Sequence, residues 1–104
     1  MQIEIEPERI HVTEALEQHL HDSLAAINRR WGDRVTRVTM HLKDINSSAK
    51  GGIDKHCTLE ARPAGIKPVA AEDTAADAYD AVKGAATKLE KVLEQALDRH
   101  KRRR

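Results

Sequence analysis

His56 and Cys57 are the one adjacent pair of residues in the chain that could support nucleophilic catalysis. Such catalysis needs the imidazole within hydrogen-bond reach of the thiol. The residues around the pair alternate between apolar and polar, which predicts a β-strand, and consecutive side chains of a strand point to opposite faces of the sheet. The pattern therefore favours a buried structural cysteine, and we predict that the protein is not an enzyme.

The histidines could instead hold a metal ion, but their spacing does not match a metal site. His19 and His21 lie two residues apart on a predicted helix, so they do not face each other. His11 and His41 would need a further ligand to converge on them, and the ligand spacing of zinc sites is missing. A glycine-rich phosphate loop is missing too. We therefore expect no metal, no cofactor and no small-molecule substrate.

The lysines and arginines near the end of the chain indicate a different chemistry, the binding of an anion. Residues 83–104 contain eight Lys or Arg and three Asp or Glu, a net charge of +5, whereas residues 1–82 carry a net charge of −4. RNA backbone is the anion that fits best, because its recognition is mainly electrostatic. The few aromatic residues, Trp31 and Tyr79, would not form a platform for stacking unpaired bases. The alternative is a solvated helix end whose cations favour the helix dipole and solubility.

One long amphipathic helix is predicted to position these cations. Thr74 and Asp77 resemble a capping box that would start the helix at Thr74. Gly84 and Ala86 are expected to leave a low, open surface beside the lysines. Residues 1–99 are expected to form a single domain, and residues 100–104 a basic, disordered tail. The apolar stripe of the helix is Ala78, Val82, Ala85, Leu89, Leu93 and Ala96.

The rest of the chain predicts four strands and a first helix. Residues 2–6, 34–44 and 56–62 alternate as half-buried strands do, and a fourth strand after Pro68 is expected at a sheet edge. Thr13 is the predicted N-cap of a helix that ends at Gly32. The polar segment 46–52 is expected to be a mobile hairpin loop. The apolar stripe of the first helix is Leu16, Leu20, Leu24, Ile27 and Trp31.

The predicted fold is therefore α+β with the order β-α-β-β-β-α. The first two strands are predicted to form a parallel pair connected by a right-handed crossover, and the other strands to pair as antiparallel hairpins. Both helices cover one face of the four-stranded sheet, since each has one apolar stripe. A membrane span and a signal peptide are not expected, and a single cysteine agrees with a reducing cytosol, so we expect a cytoplasmic protein.

Two motifs resemble those of a known family. The first runs from Ile10 to Leu16 and continues to Leu24, and the second is Asp-Ala-Tyr-Asp-Ala-Val at residues 77–82 followed by Lys-Leu-Glu-Lys-Val-Leu at residues 88–93. Together they resemble the ribosome hibernation promoting factors and ribosome-associated translation inhibitors, in a short form like the sigma-54 modulation proteins. The turn at residues 60–65 resembles that of a short branch of this family. The fold that the resemblance implies is the one predicted above, similar to double-stranded-RNA-binding domains.

The resemblance implies a non-enzymatic ribosome-binding domain that occupies the decoding region of the small subunit. Translation would be repressed by occupancy under stress or in stationary phase, and the partners would be 16S-type rRNA and neighbouring ribosomal proteins. By matched position, Lys88 and Lys91 would contact rRNA. The other candidate rRNA-binding residues are Lys83, Arg99, Lys101, Arg102, Arg29 and Arg30.

Two departures from the family pattern modify this expectation. Ser23 and Ala26 stand on the expected outer face of the first helix, where family members often have basic residues, so more of the binding is expected from the second helix. The long form's C-terminal dimerisation domain does not follow Arg104, so joining two ribosomes by that route is not expected. Two alternatives stay open: a module of the same fold that binds another structured RNA, and a protein-interaction domain with a solvated basic tail.

Overall fold

The protein is an α+β domain, as predicted. The computed structural model describes residues 1–45 and 55–103, and the loop predicted at residues 46–52 lies outside this described part. The described elements are, in chain order, β1 (Gln2–Glu8), α1 (Glu14–Ser23), α2 (Ala25–Trp31), β2 (Val35–Asp44), β3 (Lys55–Pro63), β4 (Val69–Ala75) and α3 (Ala78–Arg102).

The four strands form one mixed sheet in the order β1-β2-β3-β4. β1 runs parallel to β2, with Ile3 opposite Val38, and the other two pairs are antiparallel. This confirms the predicted topology and the edge position of β4. Pro68 comes directly before β4, where its missing N–H group costs no hydrogen bond within the sheet.

The core lies between one face of the sheet and the helices, and it is almost entirely aliphatic. Each large apolar side chain contributes about 1.5–3 kcal/mol when it is fully removed from water, so this layer dominates the stability of the fold. The other face of the sheet carries polar and charged side chains, as the alternation predicts. The core cluster includes Leu16, Leu20, Leu24, Ile27, Val38, Met40, Leu42, Cys57, Leu59, Val82, Ala85, Leu89 and Leu93.

The prediction of a single first helix is wrong, because α1 and α2 are separate helices that meet at Leu24. The backbone of Leu24 has φ −92° and ψ 2°, outside regular helical geometry. Its side chain is nevertheless only 1% exposed, so the predicted apolar stripe is correct on both sides of the break. The break falls at a serine and a leucine, and not at a proline or glycine, which would have signalled it in the sequence. The predicted N-cap is confirmed, since the Thr13 hydroxyl accepts a hydrogen bond from the Leu16 amide at 3.1 Å.

The long helix α3 begins later than predicted. Thr74 belongs to β4, where it lies opposite His56, and the N-cap is Asp77, whose carboxylate accepts a hydrogen bond from the Tyr79 amide at 2.6 Å. Pairing of β4 with β3 continues to Ala75. These ladder hydrogen bonds outweigh the helix propensity of the two alanines that follow Thr74.

The same helix ends later than predicted. It continues through Arg102, with Arg103 as its C-cap, so residues 100–102 are helical and do not form a separate tail. Four basic residues occupy the last turn, where the partial negative charge of the helix dipole favours cations. The boundary expected after Arg99 is therefore wrong, and Arg104 lies outside the described part.

Gly84 allows α3 to approach β4 closely. A Cβ atom at Gly84 would overlap the carboxylate of Asp73, which points from β4 towards the helix. The same carboxylate accepts a hydrogen bond from Lys88 Nζ at 3.0 Å. The expected open surface at Gly84 and Ala86 is therefore wrong, because Gly84 faces Asp73 and Ala86 is only 4% exposed.

Gly84→Ala should lower the free energy of unfolding, although alanine favours a helix by about 1 kcal/mol over glycine. The reason is that the new methyl group would displace the Asp73 carboxylate. In an Asp73→Ala background the carboxylate is gone and only the contact with the Cβ atom of residue 73, at 3.2 Å, remains, so the same substitution should cost clearly less stability. Urea unfolding of the wild type, the two single variants and the double variant measures both effects, and an equal effect of Gly84→Ala in the two backgrounds would contradict the close approach.

Candidate nucleic-acid interface

One solvent-facing side of α3 borders β4, and we call it the β4 flank. It is identified by Lys88, whose Nζ atom forms an ion pair with Asp73 of β4. The other members follow at steps of three or four residues, so they share this side of the helix. The β4 flank consists of Lys88, Lys91, Gln95, Arg99 and Arg102.

The β4 flank is basic along its whole length. Lys91, Arg99 and Arg102 are exposed, and none of them forms an ion pair with any residue that the structure describes. Of the four acidic residues of α3, helical spacing places Glu90 and Glu94 on another side, whereas Asp98, four residues before Arg102, lies at the margin of this flank. The four acidic residues are Asp80, Glu90, Glu94 and Asp98.

The opposite side of α3 meets α2, and we call it the α2 flank. Arg30 of α2 bridges it, with Nη1 3.1 Å from Glu90 Oε2 and Nη2 3.4 Å from Glu94 Oε2. The Arg30 guanidinium also lies 4.0 Å from the centre of the Trp31 ring. On this flank, therefore, two carboxylates of α3 accompany the cations. By helical spacing the α2 flank of α3 consists of Lys83, Glu90, Glu94 and Lys101.

The eight predicted site residues therefore do not form one surface. Lys83, Lys101 and Arg30 belong to the α2 flank, where Glu90 and Glu94 form ion pairs with Arg30. Arg29 borders a groove that Met1 and Ile3 also line, on the β1 side of α2. The four residues that the structure brings together on the β4 flank are Lys88, Lys91, Arg99 and Arg102.

The outer face expected for the first helix differs from the structure. Ser23 and Ala26 lie on either side of the break at Leu24, and both are half-buried. The expectation that they occupy an open outer face assumed one regular helix, and it is wrong for that reason. Tyr79 of α3 contacts α1: its ring centre lies 5.0 Å from that of His19.

Lys67 is a basic residue that the sequence analysis missed. It lies in the connection between β3 and β4, and it lines one groove together with Arg99 and Arg103 of α3. A lone lysine in a short connection gives no periodic signal. The packing of this connection against the end of α3 is what brings Lys67 close to Arg99 and Arg103.

Cys57 is a free cysteine buried in the core. Burial, and secondly the nearby Asp73 charge, raises the pKa of the Cys57 thiol to about 12. The thiol is therefore protonated at neutral pH and is a poor nucleophile. His56 points to the other face of the sheet, as predicted, with Nε2 2.9 Å from Glu72 Oε1.

Within residues 1–45 and 55–103, no three His, Cys, Asp or Glu side chains are grouped so that they could hold a metal ion. In the same part of the chain, no helix is both long enough and apolar enough to cross a membrane.

Comparison with solved structures defines the class of fold. A ribosomal subunit interface protein from Coxiella burnetii superposes with a TM-score of 0.75 at 20% identity, covering 94% of this chain and 99% of the other. The N-terminal domain of Protein Y from Thermus thermophilus gives a TM-score of 0.74 at 21% identity, covering 91% of this chain and 98% of the other. At these identities the likeness establishes the fold.

The family follows from the sequence. Residues 3–104 match the family described as Sigma 54 modulation protein / S30EA ribosomal protein. The chain belongs to this family, since the match covers nearly its whole length, and the predicted resemblance is confirmed. No curated protein sequence was found to match the chain.

The buried Cys57 thiol should make the fold sensitive to alkaline pH. Its pKa is raised from 9.0 to about 12 in the folded protein, so the unfolded state loses the proton first. The stabilising contribution is complete below about pH 9 and is lost as the pH rises towards 12, by at most about 1.4 kcal/mol per pH unit.

Urea unfolding at pH 8 and pH 10 tests this prediction with Cys57→Ala as the control. The wild-type protein should lose more stability between the two pH values than the variant does. Native Cys57 should also react slowly with iodoacetamide at pH 8 and rapidly after unfolding. Equal losses in both proteins would show that the thiol does not cause the alkaline sensitivity.

Proposed function

We propose that the protein binds the small ribosomal subunit through rRNA backbone contacts on the β4 flank, and that it represses translation by occupying the decoding region. Family membership supports the ribosome as the target. The observation that carries the proposal is the distribution of charge on α3: Lys91, Arg99 and Arg102 on the β4 flank have no ion pair with a described residue, whereas Glu90 and Glu94 on the α2 flank are held by Arg30.

The geometry of the β4 flank suits a phosphate backbone. Lys88 and Arg102 are separated by fourteen helical positions, or about 21 Å along the axis, so the row spans several phosphate groups. A helix whose other side is buried holds these cations at fixed spacings. Each phosphate that a cation neutralises releases counterions, which makes affinity fall steeply with salt.

The aromatic side chains do not offer a stacking platform for bases. Trp31 is covered by Arg30, and Tyr79 packs against His19. Recognition through the shape and backbone of folded RNA requires no such platform. Structured rRNA is therefore a better target for this surface than an unpaired strand.

Lys88 must exchange its partner when RNA binds. Its side chain is 57% exposed, and its ion pair with Asp73 lies at the surface. Ion pairs of this kind contribute about 0–1 kcal/mol, so a phosphate group can compete with the Asp73 carboxylate. Lys91, Arg99 and Arg102 need no such exchange.

Occupancy requires no chemistry, which agrees with the protonated state of the Cys57 thiol at neutral pH. In this proposal the protein acts in the cytoplasm, where the ribosomes are, and represses translation under stress or in stationary phase. Purified protein added to an in vitro translation reaction should therefore lower the yield in proportion to the fraction of small subunits bound.

Co-sedimentation with small ribosomal subunits tests the site. Lys88→Glu with Lys91→Glu should weaken binding more than tenfold. The slope of log affinity against log salt concentration should also become shallower, by the amount that corresponds to about two phosphate contacts. Lys83→Glu with Lys101→Glu carries the same charge change on the α2 flank and should have a much smaller effect. If the first double variant still co-sediments at moderate salt, the site assignment is wrong.

A third variant separates binding from stability. Lys91→Glu with Arg102→Glu leaves the ion pair between Lys88 and Asp73 intact, and thermal unfolding should show that the variant folds normally. It should nevertheless lose binding. Two outcomes would favour the alternatives: tight binding to another RNA without ribosome association, or ribosome binding no stronger than that of any weakly basic protein.

A further inference from the structure

A basic groove lies between the β3–β4 connection and the end of α3. Its volume is about 660 Å³, within the range of small-ligand sites, and its lining includes Lys67, Arg99 and Arg103. Ile66 and Val69 contribute apolar surface to the lining. No acidic residue lines the groove within the described part of the chain.

The three cations of the groove have no partner among the residues that the structure describes. Lys67, Arg99 and Arg103 are all exposed, and none of their side chains forms an ion pair or hydrogen bond with another described residue. Like charges that converge without a counter-ion repel one another, and an anion in the groove would relieve that repulsion.

The backbone on the connection side is held in place. Gly65 adopts a φ of +80°, which glycine allows at little cost, and the Ala64 amide donates a hydrogen bond to the Arg34 carbonyl at 2.8 Å. Lys67 is followed by Pro68, which restricts Lys67 to extended backbone conformations. The groove therefore has a constrained wall that carries Lys67 and a helical wall that carries the arginines.

The groove is continuous with the β4 flank, because Arg99 belongs to both. From Lys88 to Arg102, the basic row rises through fourteen helical positions, or about 21 Å along the axis, and Arg103, the C-cap, follows directly. Lys67 adds a cation from a different element at the far end of this row. Two walls that carry cations can hold one phosphate from two sides, which a single helix face cannot do.

We propose that this groove binds a phosphodiester of the rRNA backbone, with Lys67 as a binding residue and the adjoining ribose against the apolar lining. The inference rests on the proposed function and extends it from one helix to the β3–β4 connection. Contacts from two elements would fix the angle at which α3 lies along the RNA, because rotation about the helix axis would break the Lys67 contact.

Lys67→Glu is the decisive variant, and Lys43→Glu is its control. Lys43 is exposed on β2, on the sheet face away from the helices, so the control repeats the same substitution far from the groove. Both variants and the wild-type protein are titrated at several salt concentrations against small ribosomal subunits and against an RNA duplex of about 20 base pairs, longer than the roughly 16 that a double-stranded-RNA-binding domain spans. Thermal unfolding checks that both variants are folded.

Lys67→Glu should weaken ribosome binding by about five- to tenfold and reduce the salt slope by about one contact, while Lys43→Glu should bind as the wild type does. Ribosome binding that is unchanged in Lys67→Glu would overturn the groove and leave the proposed function standing. If the wild-type protein binds the duplex but not ribosomes, the proposed function fails. In that case, weaker duplex binding by Lys67→Glu than by the wild type would support the groove as an RNA site. Equal duplex binding by the two proteins would overturn the groove.

Discussion

The burial of one side of α3 against β3 and β4 is the constraint on which the rest of the structure depends. Leu89 and Leu93 are fully buried at the middle of this contact. Because the helix cannot rotate without exposing them, every charged residue of α3 has a fixed direction relative to the sheet. Aliphatic packing thus determines which cations meet solvent together, although it involves no charge itself.

Charged residues serve two separate purposes on this helix. On the α2 flank, Arg30 holds Glu90 and Glu94 and so links α2 to α3. On the β4 flank, most cations lack such a partner within the described part of the chain and remain available to an external anion. A chain with the same net charge but with acidic residues on both flanks could keep the link between α2 and α3. Its β4 flank, however, would no longer offer cations to an external anion.

Periodicity was sufficient to predict the sheet, because alternation along each strand shows which face is buried. The stripe of α3 was equally clear, and its buried residues follow it closely. The break at Leu24 left no signal, since ordinary helix-forming residues surround it. The start of α3 was misplaced at Thr74 because the pairing of β4 with β3 is a tertiary effect that local propensity does not contain.

The candidate site was predictable only in part. The sequence identified the basic residues of α3, but it could not show that Arg30 is held by acidic residues or that β4 lies beside Lys88. Lys67 is far from Arg99 in the chain, so their proximity follows from the fold alone. The composition of a surface can be read from a sequence, whereas its division into paired and unpaired charges depends on the neighbours that folding supplies.

Asp73 has a consequence for solubility as well as for packing. β4 is an edge strand, and edge strands can recruit strands of other molecules and so begin aggregation. A carboxylate that points inward from such a strand opposes this, because an added strand would have to cover the charge and its lysine partner. Together with Pro68 at its start, Asp73 makes β4 a poor template for extending the sheet.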